Sequence, residues 1–251
     1  MTENTNKYKN VIIIPYRNRK EHLELFIKDV IPLFETYLKP FKLVVIEQED
    51  GTLFNRGMLL NIGFNEYKDR ADIFYNHDVD VYPNEKCVKE YYTHDNYKCD
   101  NEFVGIYTPP CNTLGTVIKF HKSLFNKING YPNNFWGWGS EDKALQNRVE
   151  FMKIPITKIL FRNSSNIKDY ITVKNDIDDR HKNDTFQLKV NFEYNIFNTL
   201  TTENKYKHVM SSGLNNLDYK IISRYNSIKH FYSMIFFIFI IYIFVYLYYN
   251  L

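Results

Sequence analysis

The sequence predicts an α/β protein with a mainly parallel central sheet. Three observations carry this. The continuous apolar run Val11-Ile12-Ile13-Ile14, ended by Pro15, has the character of a strand buried on both faces. Apolar strand-like runs then alternate with helical stretches through the N-terminal half, the pattern of parallel strands joined by crossover helices. Residues capable of chemistry cluster just after these runs, where such sheets hold ligands.

After the first strand come Tyr16-Arg17-Asn18-Arg19 and a helix from about Glu21 to Leu38, with Leu23, Phe26, Ile27, Val30 and Phe34 on one side. Phe41 to Ile46 reads as a second strand, Asn55 to Tyr67 as a helix and Ile73 to Asn76 as a third strand. Phe103 to Phe120 reads as short strands, bent by Pro109-Pro110. Another helix is expected to run to about Met152, with Ser140 as its N-cap and Glu141 and Asp142 favoured by its dipole.

Each strand end offers a candidate site. Arg17 and Arg19 can clamp a diphosphate through forked donors, although ordinary loop polarity explains them as well. Phe54-Asn55-Arg56 adds an aromatic face for a base and a third guanidinium. The carboxylates of Asp78-Val79-Asp80, two apart on an extended backbone, point the same way and can approach one cation and its phosphates. Surface turns are rich in Asp, so that spacing alone is a weak signal.

The most informative stretch is Asn134-Phe135-Trp136-Gly137-Trp138-Gly139-Ser140-Glu141-Asp142-Lys143. Its 2 tryptophans are the chain's whole complement, and they alternate with glycines ahead of two acids. A generic helix start explains Ser140, Glu141 and Asp142. It does not explain the tryptophans, because flanking glycines forgo the rigidity that core packing uses. Aromatic faces on a loop beside a carboxylate suit sugar binding and proton abstraction from a hydroxyl.

These motifs also resemble a known family. Gly130-Tyr131-Pro132-Asn133-Asn134 and the run Phe135-Trp136-Gly137-Trp138-Gly139-Ser140-Glu141-Asp142 that follows are similar to the acceptor-side signature of the β-1,4-galactosyltransferases, metal-dependent inverting enzymes of the GT-A type. Pro15-Tyr16-Arg17-Asn18-Arg19 resembles the family's Pro-Phe-Arg-Asn-Arg, and Phe54 to Phe64 its Phe-Asn-Arg segment. Asp78-Val79-Asp80 resembles its Asp-x-Asp motif, and Ser212 to Tyr219 its Gly-Leu-Asn-Ser-Leu element. The resemblance spans about residues 9 to 224.

It implies a GT-A-like nucleotide-diphospho-sugar transferase fold using a UDP-sugar donor, a glycan or glycoconjugate acceptor and Mn2+. Pro15, Tyr16, Arg17, Arg19, Phe54 and Arg56 would hold the UDP. Asp78 and Val79 would meet the donor, and Asp80 would bind the metal. Asp142 would be the general base with Glu141 beside it, and Trp138 would move with a loop that closes over the donor. Trp136, Gly139, Asp142 and Lys143 would line the acceptor side. The family has an acid where this chain has Lys143, so N-acetylglucosamine is not assumed as acceptor. A family tyrosine that limits donor-sugar size corresponds to Thr113, counted back from Asn129-Gly130 without gaps. The smaller side chain leaves room for an N-acetylhexosamine, so galactose and N-acetylgalactosamine are the favoured donor sugars.

Further metal ligands come from a family Met-x-x-His segment. Asp178-Asp179-Arg180-His181 resembles it behind a longer spacer, with Asp178 in the methionine's place and His181 as the histidine. A lone His in a polar loop is more often merely solvated. Asp178 is a harder ligand than methionine and would make Mg2+ more acceptable.

Composition bounds the rest. A chain of 251 residues makes one generous domain or two small ones, and its net charge of +3 gives no reason to expect nucleic acid. Cys87, Cys99 and Cys111 fit neither a disulfide framework nor a zinc site, which favours a reducing compartment. The polar start, Met1 to Asn10, does not read as a signal peptide. Phe231 to Tyr249 carries no charge, Gly or Pro and follows Arg224, Lys229 and His230. As a helix it would span about 28 Å, enough for one membrane crossing. The expected organisation is a polar tail at 1–8, a transferase domain at 9–224 and a membrane anchor at 231–249, with the domain in the cytosol. The resemblance points instead to a lumenal, Golgi-type placement, where the sequons at Asn163 and Asn183 would matter. Two other readings are a catalytically inactive, membrane-attached sugar-binding or scaffold protein, and a nucleotidyltransferase, which has no use for the tryptophan loop.

Overall fold

The computed structural model describes residues 8–93, 97–109, 112–137, 139–161, 165–174 and 186–224. Strand β1 (Tyr8–Tyr16) leads to helices α1 (Lys20–Asp29) and α2 (Ile31–Tyr37), then β2 (Phe41–Glu47), α3 (Arg56–Tyr67) and β3 (Ala71–His77). Next come β4 (Val81–Pro83), the short α4 (Glu85–Cys87) with a π-helical turn at Val88–Tyr92, β5 (Phe103–Thr108), β6 (Val117–His121) and α5 (Lys122–Lys127). The remaining elements are α6 (Glu141–Phe151), β7 (Ile156–Phe161), β8 (Ile171–Val173), α7 (Phe186–Asn191) running into a π-helical turn at Phe192–Ile196, and α8 (Thr202–Ser211).

The central sheet has the order β2-β1-β3-β6-β5-β7, and β4 pairs with β8 separately. Strands β1–β2, β1–β3 and β5–β7 pair in parallel, while β6 runs antiparallel to both of its neighbours. The expected mainly parallel α/β sheet is therefore present.

Val11 to Ile14 are all fully buried because β1 is covered on both faces. Ile12 and Ile14 join the layer containing Phe26, Val30 and Phe34. Val11 and Ile13 join the opposite layer with Leu60, Phe64, Phe125 and Leu145. Burying each such side chain stabilises the fold by about 1.5–3 kcal/mol, which is why this strand tolerates no polar alternation. Helix α3 lies so close to β1 that a Cβ on Gly63 would come within 2.5 Å of Ile13 Cγ2.

One expectation needs correction. The single helix from Glu21 to Leu38 is two helices, broken at Val30. Pro32 stands in the first turn of α2, where it needs no N–H; within one continuous helix it would have left the Lys28 carbonyl without a donor and clashed with it.

Met1–Leu217 forms one compact unit and Asp218–Leu251 another, whose described residues 218–224 contain no helix or strand. No helix among the described residues is long and apolar enough to cross a membrane. The predicted anchor at 231–249 and the sequons' Asn163 and Asn183 lie outside the described residues.

Candidate active site

The carboxyl end of β3 opens directly into the Asp78-Val79-Asp80 turn. The Val81 amide donates to the Asp78 carbonyl at 3.4 Å, the Asp78 amide to Thr116 O at 3.0 Å, and the Lys174 amide to Asp80 O at 3.1 Å. Behind the turn, the buried His77 ring meets Asp78 O through Nδ1 and the Tyr92 hydroxyl through Nε2, each at 2.8 Å. Burial lowers His77 to about 4, so it is neutral near pH 7. A carbonyl can only accept, so the Nδ1 proton is the one donated to Asp78. The turn is thus held from both sides.

Helix α3 starts in the same place. Asn55 is its N-cap, its side chain accepting from the Met58 amide at 3.0 Å and donating to Asn133 O at 2.7 Å. That second bond ties the start of α3 to the tryptophan-bearing loop, as does the buried Asn61, which donates to Tyr131 O at 2.8 Å and Asn133 Oδ1 at 2.9 Å. The next residue after the cap, Arg56, donates from Nε to Asp78 at 2.8 Å and from Nη1 to Asp142 at 2.9 Å. Glu141 stands 3.9 Å from the same Nη1.

Helix α6 carries the two acids in its first turn. The expected Ser140 side-chain cap is absent. Ser140 adopts a left-handed conformation with φ of 71°, which differs from the extended backbone that aims a capping side chain at the helix amides. Gly139 before it has φ of 107°, a conformation open chiefly to glycine. Gly137 donates its amide to Phe54 O at 2.8 Å, bringing the loop against the start of α3. Helix α6 itself is pinned by buried Arg148, whose guanidinium donates to the carbonyls of Asn129, Gly130 and Ser212 at 3.0, 2.9 and 2.6 Å.

Three acids therefore surround one guanidinium. Burial works against the charge on Arg56, yet Asp78 and Asp142, with Glu141, hold its pKa well above the ordinary value. Burial raises Asp142 well above the usual carboxylate range; Arg56 opposes the shift, while Glu141 and Asp78 add to it. Glu141 is also raised, first by burial. Gly115 completes the enclosure: a Cβ there would lie 2.1 Å from Asp142 Oδ2. Sequence reasoning assigned Gly115 no role, since a glycine that merely makes room leaves no chemical signature.

The other predicted donor residues lie at the ends of β1 and β3, before α3 and before Gly115. Tyr16 and Pro15 end β1 and are buried. The Arg17 guanidinium lies 5.2 Å from the Phe54 ring centroid and donates to Thr52 O at 2.6 Å. Asp80 is raised to about 6 by burial and then by Asp78, with Arg19 and His22 acting in the opposite direction. Val79 and Thr113 are buried, Thr113 two residues before Gly115.

Of the residues expected to line an acceptor, Trp136 is 38% exposed. Lys143 holds its ammonium 5.6 Å from the Tyr194 ring centroid. Trp138, Asp178 and His181 lie outside the described residues. Among the described residues no group of three or more His, Cys, Asp or Glu could hold a metal.

Comparison with known proteins places the chain in a family. Residues 2–99 match the family model for the N-terminal region of glycosyl transferase group 7, and residues 96–176 that for the N-terminal domain of galactosyltransferase. The chain is 39% identical over 160 residues to β-1,4-galactosyltransferase 6 of Rattus norvegicus, covering 61% of this chain and 41% of the rat protein. It is 35% identical over 162 residues to the β-N-acetyl-D-glucosaminide β-1,4-N-acetylglucosaminyl-transferase of Lymnaea stagnalis, covering 60% of this chain and 32% of the snail protein. The chain thus spans well under half the length of these relatives. A mutant Drosophila β-1,4-galactosyltransferase 7, solved with manganese, UDP-Gal and xylobiose, superposes with a TM-score of 0.65 at 23% identity, covering 88% of each chain. That likeness establishes the GT-A-like fold. With the two family models together running from residue 2 to residue 176, the chain belongs to the glycosyl transferase group 7 family, that of the β-1,4-galactosyltransferases.

Proposed function

We propose that the chain is an inverting, UDP-sugar-dependent hexosyltransferase that acts on a hydroxyl of a glycan or glycoconjugate. The observation that carries this reading is the Arg56 bridge, which joins the strand-end acid Asp78 to the helix-start acid Asp142 in one enclosure.

Asp142 is the proposed base. Its raised carboxyl holds a proton more strongly than an exposed aspartate, as a group must that removes one from an alcohol. The acceptor proton passes to Asp142, the acceptor oxygen forms its bond to the anomeric carbon from the side opposite the diphosphate, and the carbon–oxygen bond to UDP breaks with its electrons leaving on the phosphate. Arg17 and Phe54 provide a guanidinium and an aromatic face for the nucleotide, and Arg19 extends the cationic side toward Asp80. Glu141 stands beside the proposed base, 3.9 Å from Arg56 Nη1.

The donor set suits a hard divalent cation. Asp80 and Asp78 offer oxygen ligands, and Asp80 is a half-buried carboxylate whose charge its neighbour disfavours, which a cation relieves. Mn2+ held by Asp80, with Asp178 and His181 as proposed further ligands, would neutralise the departing diphosphate. The fly protein was solved with manganese and UDP-Gal, which supports a divalent cation and a UDP-sugar donor here.

The relatives favour galactose or N-acetylgalactosamine as the transferred sugar, and Thr113 favours the bulkier donor. Phe231 to Tyr249 is the proposed membrane anchor. The test is incubation of the chain with Mn2+ and a panel of UDP-sugars and glycoside acceptors. Release of UDP with formation of an anomerically inverted product, read by NMR, supports the reading. UDP binding without release identifies an inactive binder. Turnover of UDP-galactose equal to or above that of UDP-N-acetylgalactosamine removes the Thr113 argument alone.

A further inference from the structure

Lys143 directly follows the proposed base, yet it does not act as a counter-ion to the neighbouring acids. Arg56 takes that place, and among the described residues Lys143 makes no ion pair. Its ammonium instead lies over Tyr194, a residue 40% exposed on the helical run that continues α7. The same run sends Lys189 back to the tryptophan loop. Lys189 donates to Asn134 O at 2.6 Å and sits 4.9 Å from the Phe135 ring centroid, near enough to Glu141 to feel its charge. Trp136, the next residue of that loop, is 38% exposed. Two cations and two part-exposed aromatic residues thus stand on the segments adjoining the acids, Lys143 beside Tyr194 and Lys189 beside the loop that carries Trp136.

We propose that Lys143, backed by Lys189 and flanked by Tyr194 and Trp136, forms a subsite for an anionic substituent on the acceptor sugar, a carboxylate or a sulfate or phosphate ester. The argument rests on the transferase reading above, which it extends to an acceptor class. An ammonium has only donors, whereas a neutral sugar hydroxyl is served equally well by an acid or amide at this position. An anion placed beside Asp142 and Glu141 is repelled unless a nearby cation compensates. Lys143 and Lys189 are the cations on these segments, and Lys143 is the one with its charge uncommitted to backbone. The aromatic faces supply the apolar contact that sugar rings use.

The experiment measures binding of matched methyl glycosides to the full chain in the presence of UDP and Mn2+: glucoside, glucuronide, and glucoside 6-sulfate or 6-phosphate. The glucuronide or one of the esters should bind about tenfold more tightly than the glucoside, the scale of one charge-assisted hydrogen bond. K143Q should erase that preference and K143E should reverse it, and added salt should weaken it. Which anion prevails distinguishes a uronic acid from an esterified sugar. Equal or tighter binding of the neutral glycoside, a preference unchanged in K143Q, or no binding of any glycoside overturns the proposal. UDP release from UDP-galactose by the unsubstituted chain is measured in parallel. If release persists without anion preference, only the subsite falls; if UDP-galactose and every other UDP-sugar of the panel, UDP-N-acetylgalactosamine included, give no release, the transferase reading falls, whatever the glycosides do.

Discussion

Arg56 and Asp142 are 86 positions apart in the chain, and their side chains meet at 2.9 Å. The same guanidinium holds Asp78 at 2.8 Å, so a single side chain joins the two acids to which the proposed chemistry assigns the donor and the acceptor. A lysine would bring equal charge, but its three donors share one nitrogen, whereas Arg56 reaches the two acids from separate nitrogens, Nε and Nη1.

Arg56→Ala leaves Asp78, Glu141 and Asp142 together without their cation. Removing one partner from a fully buried pair costs about 3–5 kcal/mol, and solvent reaching these part-buried side chains makes the loss here smaller. Arg56 lowers the pKa of Glu141 and Asp142, so its loss raises both further, and the folded variant binds protons more tightly than the unfolded chain. Its deficit should therefore shrink as pH falls from 7.5 to 5. Urea unfolding at the two pH values checks this. A deficit that stays constant would mean Glu141 and Asp142 do not sense the guanidinium.

Gly115→Ala tests the enclosure with a single methyl group. The backbone at Gly115 lies outside the left-handed region, so alanine is conformationally acceptable there. Its Cβ would nevertheless fall 2.1 Å from Asp142 Oδ2, and the carboxylate must move. Displacing a reacting group by about 1 Å lowers turnover by roughly 10²-fold. UDP affinity in the presence of Mn2+ should stay within a few-fold of the parent. Unchanged turnover would show that Asp142 has freedom to reposition, which its proposed role does not permit.

The parts legible in the sequence are those written in local pattern. Val11 to Ile14 declared a doubly covered strand because a parallel sheet needs apolar residues on both faces. Asp78 and Asp80 could be placed because they follow such a strand directly. Pro32 carried the signal for the helix break at Val30, but the apolar stripe running through it was stronger. Ser140 had the composition of a cap, and only its left-handed backbone, set by the tertiary position of the loop, removed the capping bond. The Arg56 bridge and the Gly115 contact were beyond reach for another reason. Both join residues distant in sequence, and neither changes composition or periodicity where it occurs.

Asp80 links pH to metal binding. Its folded pKa is about 6, above the ordinary aspartate value, so the folded state binds more protons than the unfolded state between roughly pH 4 and 6. Its contribution to stability is favourable below that window and is lost as pH rises through 6, before metal is added. Asp80→Asn should therefore stabilise the metal-free chain at pH 7, on the order of 1–2 kcal/mol after allowing for solvent screening. Mn2+ must displace the Asp80 proton below pH 6, so its affinity for the parent chain should fall as pH drops from 7 to 5. Thermal melts with and without Mn2+ across that range read both effects. A parent chain protected equally by Mn2+ at pH 5 and pH 7 would exclude Asp80 as a ligand.

Asp142→Asn separates chemistry from binding. The amide keeps the size of the carboxyl, and its oxygen can still accept from Arg56 Nη1, where the acid accepts at 2.9 Å. It cannot take up the acceptor proton. Transfer should fall by at least roughly 10²–10⁴-fold, the range general-base catalysis contributes. Stability should not fall in step: burial, Glu141 and Asp78 all disfavour charge at this position, so a neutral amide at pH 7 relieves repulsion while giving up part of the ion pair. UDP affinity with Mn2+ should remain within a few-fold, because Asp78, Asp80, Arg17 and Phe54 are untouched. Calorimetric titration with UDP and Mn2+, alongside a product assay on the same protein, distinguishes the outcomes. If UDP affinity collapses with transfer, Asp142 serves the donor through Arg56 and a different group must accept the proton.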